Sequence, residues 1–280
     1  MKKSKIIVPA LGILVLSTAA AVTGTVAWFT SSNLLSVSGM QAKVDAENGV
    51  VISNEKKSDW KESTVASHSG LDADNNPISF GLTSTANLQS WYHANSDDAN
   101  ESAHAGAYET LTFDKPAVGE GETGVAVATL ENETNMNVYL LNRFYIQSAS
   151  GRALTGQDIF VRDLKVTGMS ASQDLDKAIR IAFKAKDSND FFIYGGVADF
   201  TKTYNVNGST TATTALDPTV QSKLLSNIEI PAYVKNGSTA LEIETYVYFE
   251  GEDAEARSIN IKETLDDLSI TFKFENKIHA

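Results

Sequence analysis

Histidine and carboxylate side chains are the first residues in this chain that could do chemistry. His93 and His104 flank Asp97, Asp98 and Glu101 in a polar stretch. Imidazole and carboxylate groups are common metal ligands, so this stretch could hold a metal ion, but its spacing matches no standard site. A solvated polar loop is the favoured interpretation, and no metal ligand is predicted.

Two acidic stretches carry the oxygen ligands that calcium prefers. Residues 72–76 begin like an EF-hand loop, but Pro77 replaces the turn glycine and Thr83 replaces the bidentate glutamate. Residues 250–255 contain four carboxylates in six positions and could bind calcium weakly. A solvated acidic turn after a strand is the more common role of such a charge run.

Motifs for the common reaction classes are absent from the sequence. The chain has no His-Glu-x-x-His segment, no Gly-x-Ser-x-Gly elbow, no Walker loop and no dinucleotide fingerprint. Cysteine is absent, which excludes disulfides, thiolate metal sites and thiol nucleophiles. The sequence therefore predicts no enzyme, no catalytic residue and no cofactor.

The N-terminal segment has the order of an export signal. Lys2, Lys3 and Lys5 precede an apolar run over residues 6–29, and small residues near its end suit a signal peptidase. We expect residues 1–27 to be a signal peptide cleaved between Ala27 and Trp28, although residues 19–21 offer a second exit. An uncleaved anchor stays open, because about 20 apolar residues can span a bilayer.

Charge and length limit the partners of the mature protein. Cleavage after Ala27 removes three lysines and takes the formal net charge from −12 to −15. An acidic chain without a basic cluster is unsuited to nucleic acid, and contact with a membrane is expected only through the signal peptide. We expect one domain, because no Pro- or Ser-rich linker divides the chain.

Alternating apolar residues predict a chain made mainly of β-strands. Residues 241–249 show the pattern of a strand with one buried face. The other predicted strands lie near residues 125–130, 136–146, 159–166, 179–183, 191–194 and 270–274. Short helices are predicted at 217–228 and 261–268, and residues 84–108 are expected to form a long surface loop. The predicted fold is an all-β sandwich or jelly roll.

The segment after the signal changes its alternation at Gly39. Leu35 and Val37 occupy odd positions, whereas the apolar residues from 40 to 44 occupy even ones. One regular strand cannot bury both sets on the same face. Either a bulge at Gly39 reconciles them, or an arm at 28–39 is separated from a domain at 40–280.

Several segments resemble the TasA and camelysin family of secreted biofilm-matrix fibre proteins. The similarity is carried by GTVAWF at 24–29 and VSGMQAKV at 37–44. Weaker similarity is found in the turn at 119–121 with the strand that follows, in Asn132, and in the late strand at 241–249.

The resemblance implies a jelly roll exported through a signal peptidase of the SipW type. It also implies head-to-tail copies of the chain, joined by donor-strand complementation into an extracellular filament. The interface residues would then be Trp28, Phe29, Leu35, Val37 and Gly39.

Two other functions stay open at this stage. One is a secreted metal-dependent peptidase, because camelysin-type relatives have been described as proteases. The other is a monomeric adhesin or carbohydrate-binding module that uses Trp60, Trp91 and Tyr92 as stacking surfaces.

Overall fold

The computed structural model describes part of the unit Leu34–Ala280. The described residues are 34–38, 40–46, 49–56, 60–68, 78–81, 83–85, 87–94, 108–111, 113, 124–130, 135–167, 179–195, 202–204, 210–212, 222–234, 239–251, 264–266 and 268–280. The predicted signal peptide, Trp28, Phe29 and Gly39 lie outside them. No helix among the described residues has the length and apolar character needed to cross a bilayer.

Nineteen strands are found in the described parts of the chain. In chain order they are β1 (Leu34–Ser38), β2 (Met40–Ala46), β3 (Val50–Ser53), β4 (Ser63–His68), β5 (Ile78–Gly81), β6 (Thr83–Ser84), β7 (Tyr92–Ala94), β8 (Tyr108–Thr110), β9 (Gly124–Thr129), β10 (Asn135–Ser148), β11 (Leu154–Thr167), β12 (Ile179–Ala185), β13 (Phe191–Gly195), β14 (Lys202–Tyr204), β15 (Thr210–Ala212), β16 (Ser222–Ile230), β17 (Leu241–Phe249), β18 (Thr264–Asp266) and β19 (Ser269–Ile278). The all-β prediction is confirmed, including every predicted strand.

The strands form two main sheets that pack as a sandwich. The first sheet has the order β13-β12-β17-β10-β5-β1-β18, with β3 and β9 also paired to β10. The second sheet has the order β16-β11-β19-β2-β4. Two smaller sheets, β14-β15 and β6-β7-β8, complete the described strands.

Aromatic residues from both sheets meet in the core between them. Phe144 and Phe183 of the first sheet contact Phe272 of the second, at centroid distances of 5.5 and 4.9 Å. The rings are nearly perpendicular, which places ring edges against ring faces. All three are at most 2% exposed. In a chain without cysteine, strand pairing holds each sheet together and burial of this kind holds the two sheets to each other.

A second apolar cluster covers the outer face of the first sheet. Trp91 packs against Tyr139 and Tyr248, with ring centroids 4.5 and 4.9 Å apart. Tyr246 and Tyr248 are buried as well. The prediction that only one face of the 241–249 strand is buried is therefore wrong.

The expectation of a long surface loop at 84–108 is also wrong in its first part. Leu88 and Trp91 are only 5% and 2% exposed. The Thr85 hydroxyl accepts a hydrogen bond from the Leu88 amide and donates one to the Ser90 carbonyl. Polar side chains thus fold this segment tightly enough for its two apolar residues to reach the sheet.

Both helix predictions fail where the chain is described. Residues 222–230 form strand β16 and residues 264–266 form strand β18. The pairing of β16 with β11 shifts register three times, and Asn227 has a positive φ of 52°. These irregularities break the two-residue alternation, so the neighbouring residues Leu224 and Leu225 are both buried. A pair of adjacent buried leucines is a pattern that one face of a helix also shows.

Candidate functional site

Strand β1 is inserted between two other strands of the first sheet. It pairs antiparallel with β5 over four residues and parallel with β18 over three. Removing β1 would expose the edge of β5 and detach β18 from the sheet. The strand therefore fills a slot, which we call the β1 slot, formed by β5 and β18.

The register assigns the two predicted anchor positions of β1 to the core side. Leu35 lies opposite Phe80, and Val37 lies opposite Ile78. Phe80 and Ile78 are 1% and 8% exposed and belong to the core between the sheets. Directly opposed residues in an antiparallel pair share a face of the sheet, so positions 35 and 37 belong to the core face.

The chain crosses from the first sheet to the second between Ser38 and Met40. Strand β1 ends at Ser38 and β2 begins at Met40 in the other sheet. The change of alternation therefore coincides with a crossing, not with a bulge inside one strand. Gly39, at the crossing, lies outside the described residues, as do Ala27, Trp28 and Phe29.

The strand pair β18 and β19 makes the same crossing beside β1 and β2. Ser38 lies opposite Asp266 in the first sheet, and Gln41 lies opposite Ser269 in the second. The Gln41 amide donates a 2.9 Å hydrogen bond to the Leu268 carbonyl between these positions. The backbone pairing of β2 with β19 thus begins directly after the pairing of β1 with β18 ends.

Only some of the residues considered for metal or sugar binding lie in the described part of the chain. No group of three or more metal-ligating side chains is found among the described residues. Glu250 is fully buried, which contradicts a solvated turn at this position. Trp91 is buried against the first sheet, so it cannot serve as an exposed stacking surface. His104, Asp97, Asp98 and Glu101 lie outside the described residues.

A cluster at the end of the second sheet brings together Ser226, His279 and Asp158, which no motif predicted. Asp158 Oδ1 lies 2.7 Å from His279 Nδ1, and Ser226 Oγ lies 3.3 Å from the same nitrogen. In a hydrolytic triad the serine and the carboxylate contact different ring nitrogens. Here both contact the same nitrogen, so this arrangement does not activate the serine. Its contacts instead join the end of β19 to β11 and β16.

Asp158 is held in its charged form by several donors. The Lys223 ammonium lies 2.7 Å from Oδ2, and the Asn227 amide donates to Oδ1. The Lys223 contact, with smaller contributions from Asn227, His279 and Ser226, holds the pKa of Asp158 well below its usual range. Stabilisation of this kind is present above the pKa of the unfolded chain and is lost as the pH falls towards the folded-state pKa.

We expect acid to weaken the protein partly through Asp158. The urea midpoint of the native protein should fall between about pH 5 and pH 2, and Asp158→Asn should flatten this part of the profile. Asp187→Asn, which removes an exposed carboxylate, should keep the native profile. Equal pH slopes in the native protein and Asp158→Asn would show that the Asp158 contacts do not stabilise the charged form.

A buried ion network lies on the outer face of the first sheet. Arg143 Nε and a terminal guanidinium nitrogen lie 3.2 and 3.3 Å from carboxylate oxygens of Glu242 and Glu244. Lys186 contacts the other oxygen of Glu242 at 3.3 Å, and the Tyr246 hydroxyl donates to Glu244. Arg143 and Glu242 are only 7% and 6% exposed. The alternation of residues 241–249 predicted strand β17, but it gave no indication of this ion network.

The tyrosines beside the network are kept neutral. Burial, aided by the negative charge of Glu244, raises the pKa of Tyr139 to about 12. Burial and the charge of Glu242 raise the pKa of Tyr145 to about 12 in the same way. Both phenols therefore stay protonated above the pH at which an ordinary tyrosine ionises, and they can act as hydrogen-bond donors there.

No family model, curated protein or solved structure matches the chain.

Proposed function

We propose that this protein is a secreted structural subunit of an extracellular filament of the biofilm-matrix type. Copies of the chain join head to tail when β1 of one copy enters the β1 slot of the next. The observation that supports this most is the position of β1, which is an inserted strand connected to the second sheet through a single residue, Gly39.

Strand exchange would preserve the pairs that β1 makes in the isolated chain. A β1 strand from a second copy can make the same backbone hydrogen bonds to β5 and β18, with positions 35 and 37 again opposite Phe80 and Ile78. Exchange of an identical element between copies has a low thermodynamic cost. Because the donating and accepting surfaces differ, the contact is heterologous, and it propagates as a filament when the rotation between copies does not close a ring.

Export would precede assembly in this scheme. A signal peptidase of the SipW type would cleave between Ala27 and Trp28 and release the arm of residues 28–39. An arm held in the membrane by residues 6–27 could not reach a neighbouring subunit, so cleavage would permit polymerisation.

An engineered disulfide tests whether β1 is exchanged between copies. Ser36 and Ser79 are directly opposed across β1 and β5, and the native chain has no cysteine. We expect Ser36→Cys combined with Ser79→Cys, assembled under reducing conditions and then oxidised, to give a ladder of covalent multimers on a denaturing gel. Opposed positions of an antiparallel pair are close enough for such a bond in favourable geometry.

A matched pair of cysteines provides the control for this experiment. Gln41 and Ser67 are opposed across β2 and β4 and both are exposed. Gln41→Cys with Ser67→Cys should cross-link within one chain, whether or not filaments form. Filaments in which the 36–79 pair also yields only cross-linked monomers would contradict strand exchange.

A further inference from the structure

A cleft at the rim of the sandwich lies apart from the β1 slot. It has a volume of about 370 Å³ and is lined by residues 189–191, at the start of β13, and by residues 223–226 of β16. We call it the rim cleft. Its walls thus come from one edge strand of each main sheet, and the volume is within the range of small-molecule sites.

The turn that forms one wall presents polar groups with remaining hydrogen-bonding capacity. Asn189 and Asp190 are both exposed. Within the described residues, neither the Asn189 amide nor the Asp190 carboxylate has a side-chain hydrogen bond or ion pair. The Asp190 backbone amide donates to the Ser188 hydroxyl at 2.9 Å, which fixes the turn. An adjacent amide and carboxylate supply both donors and acceptors.

The opposite wall combines apolar and committed polar groups. Leu224 and Leu225 are 3% and 6% exposed, so they back this wall but offer a ligand little apolar surface. Lys223 and Ser226 are already bound to Asp158, at 2.7 and 3.2 Å. The positive charge of Lys223 is therefore balanced, and the contacts of Lys223 and Ser226 with Asp158 fix this wall to β11. Phe191, which is half-buried, adds an aromatic surface.

We propose that the rim cleft binds a neutral oligosaccharide. A sugar ring offers vicinal hydroxyl groups, which match the amide and carboxylate of Asn189 and Asp190, and an apolar C–H face, which matches the half-buried ring of Phe191. The uncompensated charge in the cleft is that of Asp190, which disfavours acidic sugars and anions. This inference does not depend on filament formation.

Titration of the mature chain in its monomeric fraction tests the proposal. Cellotriose, maltotriose and chitotriose would each be added while amide proton–nitrogen spectra are recorded. With at least one probe, shift changes should be confined to residues 189–191 and 223–226 and their immediate neighbours. Asp190→Ala should weaken this binding by about tenfold or more, because a hydrogen bond to a carboxylate is lost.

A charge-matched variant and a rival ligand complete the design. Asp187→Asn removes one negative charge from the same turn but outside the cleft, and it should leave the affinity unchanged. Absence of any shift with all three sugars at about 10 mM would overturn the proposal. Equal affinity of a sugar for Asp190→Ala and for the native protein would also overturn it. Hexalysine is the rival ligand, and shifts in the cleft with hexalysine but with no sugar would contradict the proposal.

Discussion

Aspartate at positions 35 and 37 is expected to stop filament growth while leaving a folded domain. Both positions belong to the core face of β1, opposite Phe80 and Ile78. Placing a carboxylate without a partner in such a core costs several kcal/mol. The cost recurs at every joint of a filament. In an isolated chain β1 can leave the slot instead, because its pairs within the described residues are those with the short strands β5 and β18. Electron microscopy should show no filaments, and circular dichroism should retain a β-rich spectrum.

A charge on the other face of the same strand is the matched control. Ser36→Asp lies between the two positions and opposite Ser79, so it should leave filaments intact. Unfolding of the 35/37 double variant would indicate that β1 is an essential first strand of its own domain. Normal filaments from the double variant would exclude β1 as the joint.

Replacing Arg143 with methionine should lower the free energy of unfolding by about 3 kcal/mol, the lower end of the cost of breaking a buried ion pair. The change leaves the buried carboxylate of Glu242 and the partly buried carboxylate of Glu244 without their shared guanidinium. Lys186 still contacts Glu242, and Tyr246 still donates to Glu244, which limits the loss. Urea unfolding at neutral pH measures the effect.

Two further variants separate burial of charge from loss of packing. Lys186→Ala removes a cation from the same glutamate, but Lys186 is 30% exposed, so its cost should be about 1 kcal/mol or less. Arg143→Met combined with Glu242→Gln and Glu244→Gln should recover part of the loss, because these three positions then carry no buried charge. A triple variant as unstable as Arg143→Met alone would assign the loss to packing.

Regular alternation made much of the sandwich predictable from the sequence. Strand β17 has the predicted bounds, 241–249, because its odd residues all face the core and no bulge interrupts them. Strand β16 was not predictable in the same way. Its alternation depends on register shifts against β11, and these are set by a partner about 70 residues earlier in the chain.

The buried outer face of the first sheet illustrates a second limit. The outer face of β17 has the composition of a solvated face, because it carries Glu242, Glu244, Tyr246 and Tyr248. Trp91 covers the two tyrosines, and Arg143 pairs with the two glutamates. Nothing local to residues 241–249 indicates a distant tryptophan or arginine. The rim cleft was not predictable for the same reason, since it forms where β13 and β16, which are distant in the sequence, meet. The break between β1 and β2 was one of two alternatives that the sequence offered, because the change of alternation is local to Gly39.

The location of β2 in the second sheet determines how a filament would respond to tension. A pull on β1 of one subunit passes directly into β2, which lies between β19 and β4 with six opposed residues on each side. A force along the strand axis loads these backbone hydrogen bonds together in shear, so they cannot open one after another as in a peeled hairpin. The crossing at Gly39 would therefore make each subunit a stiff mechanical link.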